Sequence, residues 1–534
     1  MNTCKTLSLA LALCALPLHS GAQQANILSA MKKATHYMMD SLSCHGGFVW
    51  SYLPDHSRQW GEIEATPTMI WLQAPSTPDV GQLMLDAYAV THDAYYYQCA
   101  QRVASAIMDA QLPCGGWHYM HNYAPEADTR QWYNTVGRQA WRLEEFQHYY
   151  GNATFDDLAS SSPANFLLRM YLTKHDKTYL QPLRKAIDFF TKSQYANGGW
   201  PQRYPLKPDH PFRGNPDYTP FITINDDVLP ANTEFLMKCY ALLKMPQLKD
   251  NIIRALYLTL RLQQPEPLAG WADQYDNDNL RPAPARSYEP GAVNTGTTVE
   301  IIGKLIDYYK LTGDPKFLKG IPAAIAFIRS EALPDSMARL ATHRPMGAND
   351  ILTARYINPS TGRPMFVHRM GSNVKNGRYY TNEDIRNTLA HYGSVCVIDT
   401  LELRRAYNEA LSLNADSLRR HSPLLKPSNY KAEKYFYLND DGSLRRARKW
   451  TYQTAEQLVR SLTPQGYWLT VLGQDSHPYK PIPEDMPDSS METKYATTMV
   501  GDEYDTSCFP DNTKGISTRA FINNMTVLMA ALTK

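Results

Sequence analysis

Through the first 330 residues, apolar side chains recur at three- and four-residue spacing, the period of helices with one buried face. The pattern is also repeated. Thr91-His-Asp-Ala-Tyr95 leads into Val103-Ala-Ser-Ala-Ile107, Thr173-Lys-His-Asp-Lys177 into Ala186-Ile-Asp-Phe-Phe190, and Thr312-Gly-Asp-Pro-Lys316 into Ala323-Ala-Ile-Ala-Phe327. Each is a helix, a short polar turn and a second helix. Glycine-aromatic loops recur with them: Cys44-His-Gly-Gly-Phe48, Cys114-Gly-Gly-Trp117, Asn197-Gly-Gly-Trp200 and Ala269-Gly-Trp271. Helical hairpins repeated at this length stack into a solenoid or close into a ring. These loops are long, differ from copy to copy and are rich in Trp, Tyr and Asp. They favour a mainly α fold, a closed α/α barrel (toroid) of repeated helical hairpins with the loops lining one mouth.

The texture changes after Pro345. Tyr356 to His368 reads as a β-hairpin round a glycine turn, and Tyr435 to Leu444 as another with Asp-Gly at its tip. Asp384 to Leu413 reads as a long helix and Thr518 to Leu532 as a terminal one. The division expected is a signal peptide over 1–22, a barrel over 23–345, and a helical continuation with β-hairpins over 346–534.

Lys5 is the only Lys, Arg, Asp or Glu among the first 22 residues. An apolar run, Leu7 to Leu18, and a small-residue site, Ser20-Gly21-Ala22, follow it. That is a secretory leader cut near Ala22, less readily a lipoprotein cut at Cys14, and it implies a periplasmic or extracellular protein. No segment is expected to span a membrane. A formal net charge of +2 gives no reason to invoke nucleic acid, and a monomer is expected. The 35 tyrosines and 10 tryptophans suit sugar faces, although most such rings are packing. Beyond the leader lie Cys44, Cys99, Cys114, Cys239, Cys396 and Cys508, without zinc spacing. Cys99 and Cys114 are candidates for a disulfide, but cysteines so scattered are more often buried singly.

Three stretches carry chemistry. Asn225-Asp226-Asp227 opens a helix expected to run through Met237. Capping explains one of the three, while the adjacent carboxylates suit a hard cation such as calcium. Asp273, Asp276 and Asp278 follow Gly270-Trp271, either as calcium ligands or as a solvated acidic turn; an EF-hand is rejected. Arg286 sits among prolines in Arg281-Pro-Ala-Pro-Ala-Arg-Ser-Tyr-Glu289, and by default would pair with a carboxylate such as Glu289.

Taken together, Asn197-Gly-Gly-Trp-Pro-Gln202, Ile222-Thr-Ile-Asn-Asp-Asp227 and Ala285-Arg-Ser-Tyr-Glu289 resemble motifs of the family-ten polysaccharide lyases, pectate lyases with an α/α barrel. The likeness spans roughly Ser162 to Ile328. It implies calcium-assisted β-elimination on a uronic acid of an acidic plant polysaccharide or oligosaccharide. Carried over, Arg286 is the base, and Asp226 and Asp227 share the catalytic work and hold the calcium. Trp200, Gln202, Arg203, Asn225, Asp273, Tyr288 and Glu289 bind substrate. Phe221, Pro290-Gly-Ala292 and Gln274-Tyr-Asp276 depart from the family's usual residues at the rim. A glucuronate or rhamnose–glucuronate linkage therefore fits as well as polygalacturonate.

Two other classes are consistent with the same residues. An α/α-barrel glycoside hydrolase would use Asp227 with Asp273 or Glu289 as acid and base, without metal. A non-catalytic glycan-binding protein would need the aromatic loops alone.

Overall fold

The computed structural model describes residues 16–140, 143–207, 211, 216–341, 346–370, 378–389, 394–445, 453–473, 476–485, 504–506 and 512–533. Most of the expected leader (Lys5 to Cys14) and Cys508 lie outside them.

The architecture is the α/α barrel expected, with short sheets added. In chain order the helices used below are α1 (Leu16–Tyr37), α2 (Thr77–Thr91), α3 (Ala94–Asp109), α4 (Ser161–Lys174), α5 (Leu180–Lys192), α6 (Val228–Leu242), α7 (Lys249–Arg261), α8 (Thr295–Thr312), α9 (Ile321–Ser330), α10 (Thr400–Leu411), α11 (Ala455–Ser461) and α12 (Thr518–Leu532), with shorter helices between some of them. Inner and outer helices differ as their sequences require. Every residue from Val80 to Ala87 in α2 is buried, so this helix is enclosed. In α5 the buried set is Leu183, Ala186, Ile187, Phe189 and Phe190, one stripe at helical spacing, which marks an outer helix. The inner helices α12, α2, α4 and α6 pack in succession, and α8 packs on α7 and α9.

The glycine-aromatic loops tie these hairpins into a ring. The indole of Trp117 donates to Ile107 O, that of Trp200 to Phe190 O, that of Trp271 to Thr259 O and that of Trp468 to Leu458 O. Each tryptophan is a peg locked to the outer helix before it. The glycines press the loop onto the outer helix that follows: Gly115 (φ +99°) lies against Lys185 of α5, Gly198 (φ +104°) against Arg254 of α7. A β-carbon would collide with helix backbone at either position, and φ is in the left-handed region that favours glycine. The series ends at Gly466, which lies against Lys33 of α1 and so closes the circle. This copy, Gly466-Tyr-Trp468, is a fifth beyond the four legible in the sequence repeat.

Two expectations need correction. Asp384 to Leu413 is not one helix. Val395–Asp399 is a strand paired with Asp350–Ala354, as its β-branched residues favour, and α10 begins only where Asp399 caps the amides of Leu401 and Glu402. The hairpin at Tyr435 to Leu444 is reduced to one bridge, Leu438 with Leu444. The amides of Phe436 and Tyr437 donate instead to the buried carboxylate of Asp86 on α2. Cys99 and Cys114 are both free thiols, as are Cys44, Cys239 and Cys396. The hairpin at Tyr356–Ile357 and Pro364–Met370 and the helix Thr518–Leu532 form as expected. Among the described residues no helix is long and apolar enough to cross a membrane.

Candidate functional site

The segments that enter the inner helices collect at one mouth. Asp156 and Asp157 precede α4, Asp226 and Asp227 precede α6, and Asn294 caps α8. Free amides and helix dipoles favour negative charge at such ends. Asp157 (φ +47°), Asp226 (φ +54°) and Asp227 (φ +57°) all hold left-handed backbone, which costs each about 1 kcal/mol or more and is concentrated at functional sites.

Arg286 lies at the centre, 3% exposed. A tight turn, with Glu289 N donating to Arg286 O, presents it inward. Its Nε donates to Glu145 Oε2 at 2.9 Å and its Nη2 to Asp156 Oδ2 at 2.7 Å. Its Nη1 stands 3.4 Å from Glu289 Oε1 and 3.7 Å from Asp226 Oδ2. Tyr119 donates its hydroxyl to the same Asp156 oxygen. Beside the arginine, carboxylate oxygens of Asp156, Asp157 and Asp226 lie within 4.8 Å of one another. Gln73 donates from one amide nitrogen to both Asp157 Oδ2 (2.6 Å) and Glu62 Oε2 (2.9 Å), which fixes the far edge of the cluster.

Electrostatics follow from this crowding. Burial, then Asp156 and Asp157, push the Asp226 carboxyl well above the usual range; burial, then Asp156 and Glu62, do the same to Asp157. Burial acts most strongly against ionised Asp156 too, but Arg286, the hydrogen bonds to Asp226 and Tyr119, and Arg203 together hold that group below its ordinary value. Burial opposes the charge on Arg286, yet Glu145, Asp156 and Glu289 together raise its pKa well above that of a free guanidinium. The arginine is therefore held among carboxylates that favour its charged form.

Burial raises Glu289 to about 7. Its folded value exceeds the unfolded one, so between about 4.5 and 7 the folded protein binds the extra proton, and stability falls as pH rises through that window. Thermal melts at pH 5 and pH 8 check this: Glu289→Gln is expected to narrow the difference seen in the unmodified protein.

A cavity of about 530 Å³ opens beside the cluster, lined by Asp226, Glu289, Asp273, Asp227, Lys304 and Arg355 among others. The sequence had paired Asp226 with Asp227. The structure groups Asp226 with Asp156 and Asp157 instead, and Asp227 faces Lys304 Nζ at 3.8 Å. No capping hydrogen bond forms from the side chain of Asp227. Both oxygens of Asp273 accept from Asn294 Nδ2 at 2.9 Å, so it anchors the entry to α8. Asp276 receives the amides of Asp278 and Asn279, an ordinary Asx turn.

Several residues expected at the sugar surface are interior. Trp200 is fully buried as a peg. Arg203, 1% exposed, lies 4.4 Å from the centre of the Tyr150 ring and 5.3 Å from that of Tyr119. Gln202 and Tyr288 are enclosed as well, the latter with Val367 and Leu389. Asn225 donates to Asp226 Oδ2 at 2.8 Å and does line the cavity. Glu145, Asp156 and Asp157 were missed. One signal could have found the two aspartates: Asp156-Asp157 before α4 repeats the adjacent carboxylates of Asp226-Asp227 before α6.

A family model described as pectic acid lyase matches residues 123–393, just over half of the chain and wider than the likeness read from motifs. No curated protein matches the sequence. Solved structures similar to it include a family 10 polysaccharide lyase from Cellvibrio cellulosa, at 19% identity over 54% of this chain and 84% of that one, with a TM-score of 0.36. A mutant of a family 10 lyase from Cellvibrio cellulosa, in complex with trigalaturonic acid, is 16% identical over 65% and 98%, with a TM-score of 0.38. The GH76 α-mannanase BT2949 of Bacteroides thetaiotaomicron is 10% identical over 96% and 95%, with a TM-score of 0.35.

Proposed function

From a chain that belongs to the pectic acid lyase family, we infer an exported lyase that cleaves an acidic plant polysaccharide by calcium-assisted β-elimination. The observation that carries this is one arrangement: Arg286 set among Glu145, Asp156, Asp226 and Glu289, with Asp157 beside them, next to an open polar cavity that Asp226 and Glu289 line. The leader-like first 22 residues support export to the periplasm or beyond.

Asp156, Asp157 and Asp226 suit a hard divalent cation. They offer only oxygen, Asp156 Oδ1 is buried without a hydrogen-bond partner, and burial together with mutual repulsion pushes the Asp226 and Asp157 carboxyls up, a cost that a bound cation would relieve. Bound there, calcium would tie down the uronate carboxylate and acidify the hydrogen on C5. In the elimination that hydrogen leaves as a proton, its electron pair forms the C4–C5 double bond, and the glycosidic oxygen departs from C4. Arg286, kept charged, stabilises the negative charge that develops on the substrate carboxylate. Glu289 borders the cavity beside it and is the neighbouring carboxyl placed to receive the proton without also serving the cation. The hydrolase reading is weaker, because Asp273 has both oxygens committed to Asn294.

An ultraviolet assay for unsaturated uronates tests the reading, with polygalacturonate and, in parallel, glucuronate-bearing gum arabic. New absorbance is expected with calcium and not with EDTA. Sugar release without that absorbance would make the protein a hydrolase, and no change in either polymer would refute a lyase acting on these uronates.

A further inference from the structure

One cation in the cavity is only loosely committed. Lys304 and Arg355 supply the positive charge among its lining residues. Arg355 is largely buried and engaged, with Asp273 and Glu300 among the charges acting on it. Lys304 is different. Its ammonium is 3.8 Å from Asp227, beyond hydrogen-bond length, and the two side chains are 39% and 62% exposed. So long and exposed a pair contributes little and exchanges readily for a better partner.

The residue before it adds an independent observation. Gly303 lies inside α8, where glycine weakens a helix. No packing demand explains it: a β-carbon there would meet nothing within 4 Å. Gly303 lines the same cavity, so the open space beside it is the space beside Lys304. Asp226 and Glu289, where the unit to be cleaved would bind, line that cavity too.

We propose that Gly303 and Lys304 form a second sugar subsite on α8, in which Lys304 takes the carboxylate of an acidic unit other than the one cleaved. Gly303 keeps the helix surface low enough for a sugar ring to lie along it, and the incoming carboxylate displaces that of Asp227. Lys304 thereby sets specificity: the substrate is a glycan with acidic units close together along the chain, not one with an isolated uronate. The inference rests on the proposed lyase reading, whose site it extends.

Kinetics on polygalacturonate test it. Lys304→Met is expected to raise KM about tenfold or more, the usual scale for a lost charge-assisted contact, with the loss confined to KM; Lys304→Arg restores most of it. Gly303→Leu should raise KM similarly while leaving thermal stability no lower, since leucine favours helix. A KM for Lys304→Met within twofold of the unmodified protein would overturn the proposal, as would a kcat that falls as far as kcat/KM. Calorimetric titration with trigalacturonate in EDTA separates the two readings. If no unsaturated product ever forms, weaker binding by Lys304→Met still supports the subsite, and equal binding refutes it.

Discussion

Arg286→Ala is expected to abolish elimination, with kcat/KM down about a thousandfold or more, since loss of one preorganised charge-stabilising donor alone costs about 10²–10³. It is also expected to weaken the fold. Glu145, Asp156 and Glu289 would be left in the interior without their cation, and breaking a buried ion pair from one side costs about 3–5 kcal/mol. Arg286→Lys separates the two effects. An ammonium restores charge and part of the stability, but it cannot reach Glu145 and Asp156 as the planar fork does, so activity stays low. Melting curves beside the absorbance assay distinguish a dead folded enzyme from an unfolded one. The pH profile then decides between clamp and base. With Arg286 as a fixed cation, the rate follows a carboxyl titrating near 7 and levels off above it. A rate still climbing past pH 10 would return the base's part to the arginine.

The second large effect lies away from the chemistry. Asp86 is fully buried in α2, paired with Arg169, and accepts the amides of Phe436 (2.9 Å) and Tyr437 (2.7 Å). Asp86→Ala strands two backbone donors and takes the carboxylate from Arg169, which keeps only its bonds to Gln82 and Lys434 O. About 3–5 kcal/mol for the broken pair and 1–3 for each unsatisfied donor bound the cost; the terms are not additive, and a loss of about 4 kcal/mol or more is expected in urea unfolding. Asp86→Asn keeps the shape and one acceptor and should lose less. Equal stability of Asp86→Ala and the unmodified protein would show that the segment at Phe436 is not pinned by this carboxylate.

Repetition made the barrel legible. Hairpins of similar length separated by glycine-aromatic loops leave few ways to bury their apolar stripes. The same loops misled about chemistry, because a tryptophan beside two glycines looks equally like a sugar platform and like a peg. Only the indole's bond to the preceding helix tells them apart, and that partner is ten or more residues away in sequence. The fifth loop was missed because Tyr467 stands where the second glycine was expected. At the site, Arg286 and Asp226 were found because each lies in a recognisable motif. Their true neighbours Glu145 and Asp156 come from a stretch outside the three recognised motifs, 141 and 130 residues from Arg286 in the chain. Electrostatic roles were the least legible of all. Whether an arginine is a base or a fixed cation depends on how many carboxylates surround it, and side chains from three separate segments supply them here.

The circular closure also constrains how the chain can fold. Thr518 Oγ1 donates to Val49 O across 469 residues, and Ser51 pairs with Ser517. In an open stack of repeats each new unit caps the one before, and a partial array can stand alone. Here the flank of α2 stays uncovered until α12 has been made. Any intermediate formed during synthesis therefore carries an apolar seam in water, and contacts this distant in sequence form late. The ring should accordingly depend on chaperones during its assembly far more than its finished stability suggests.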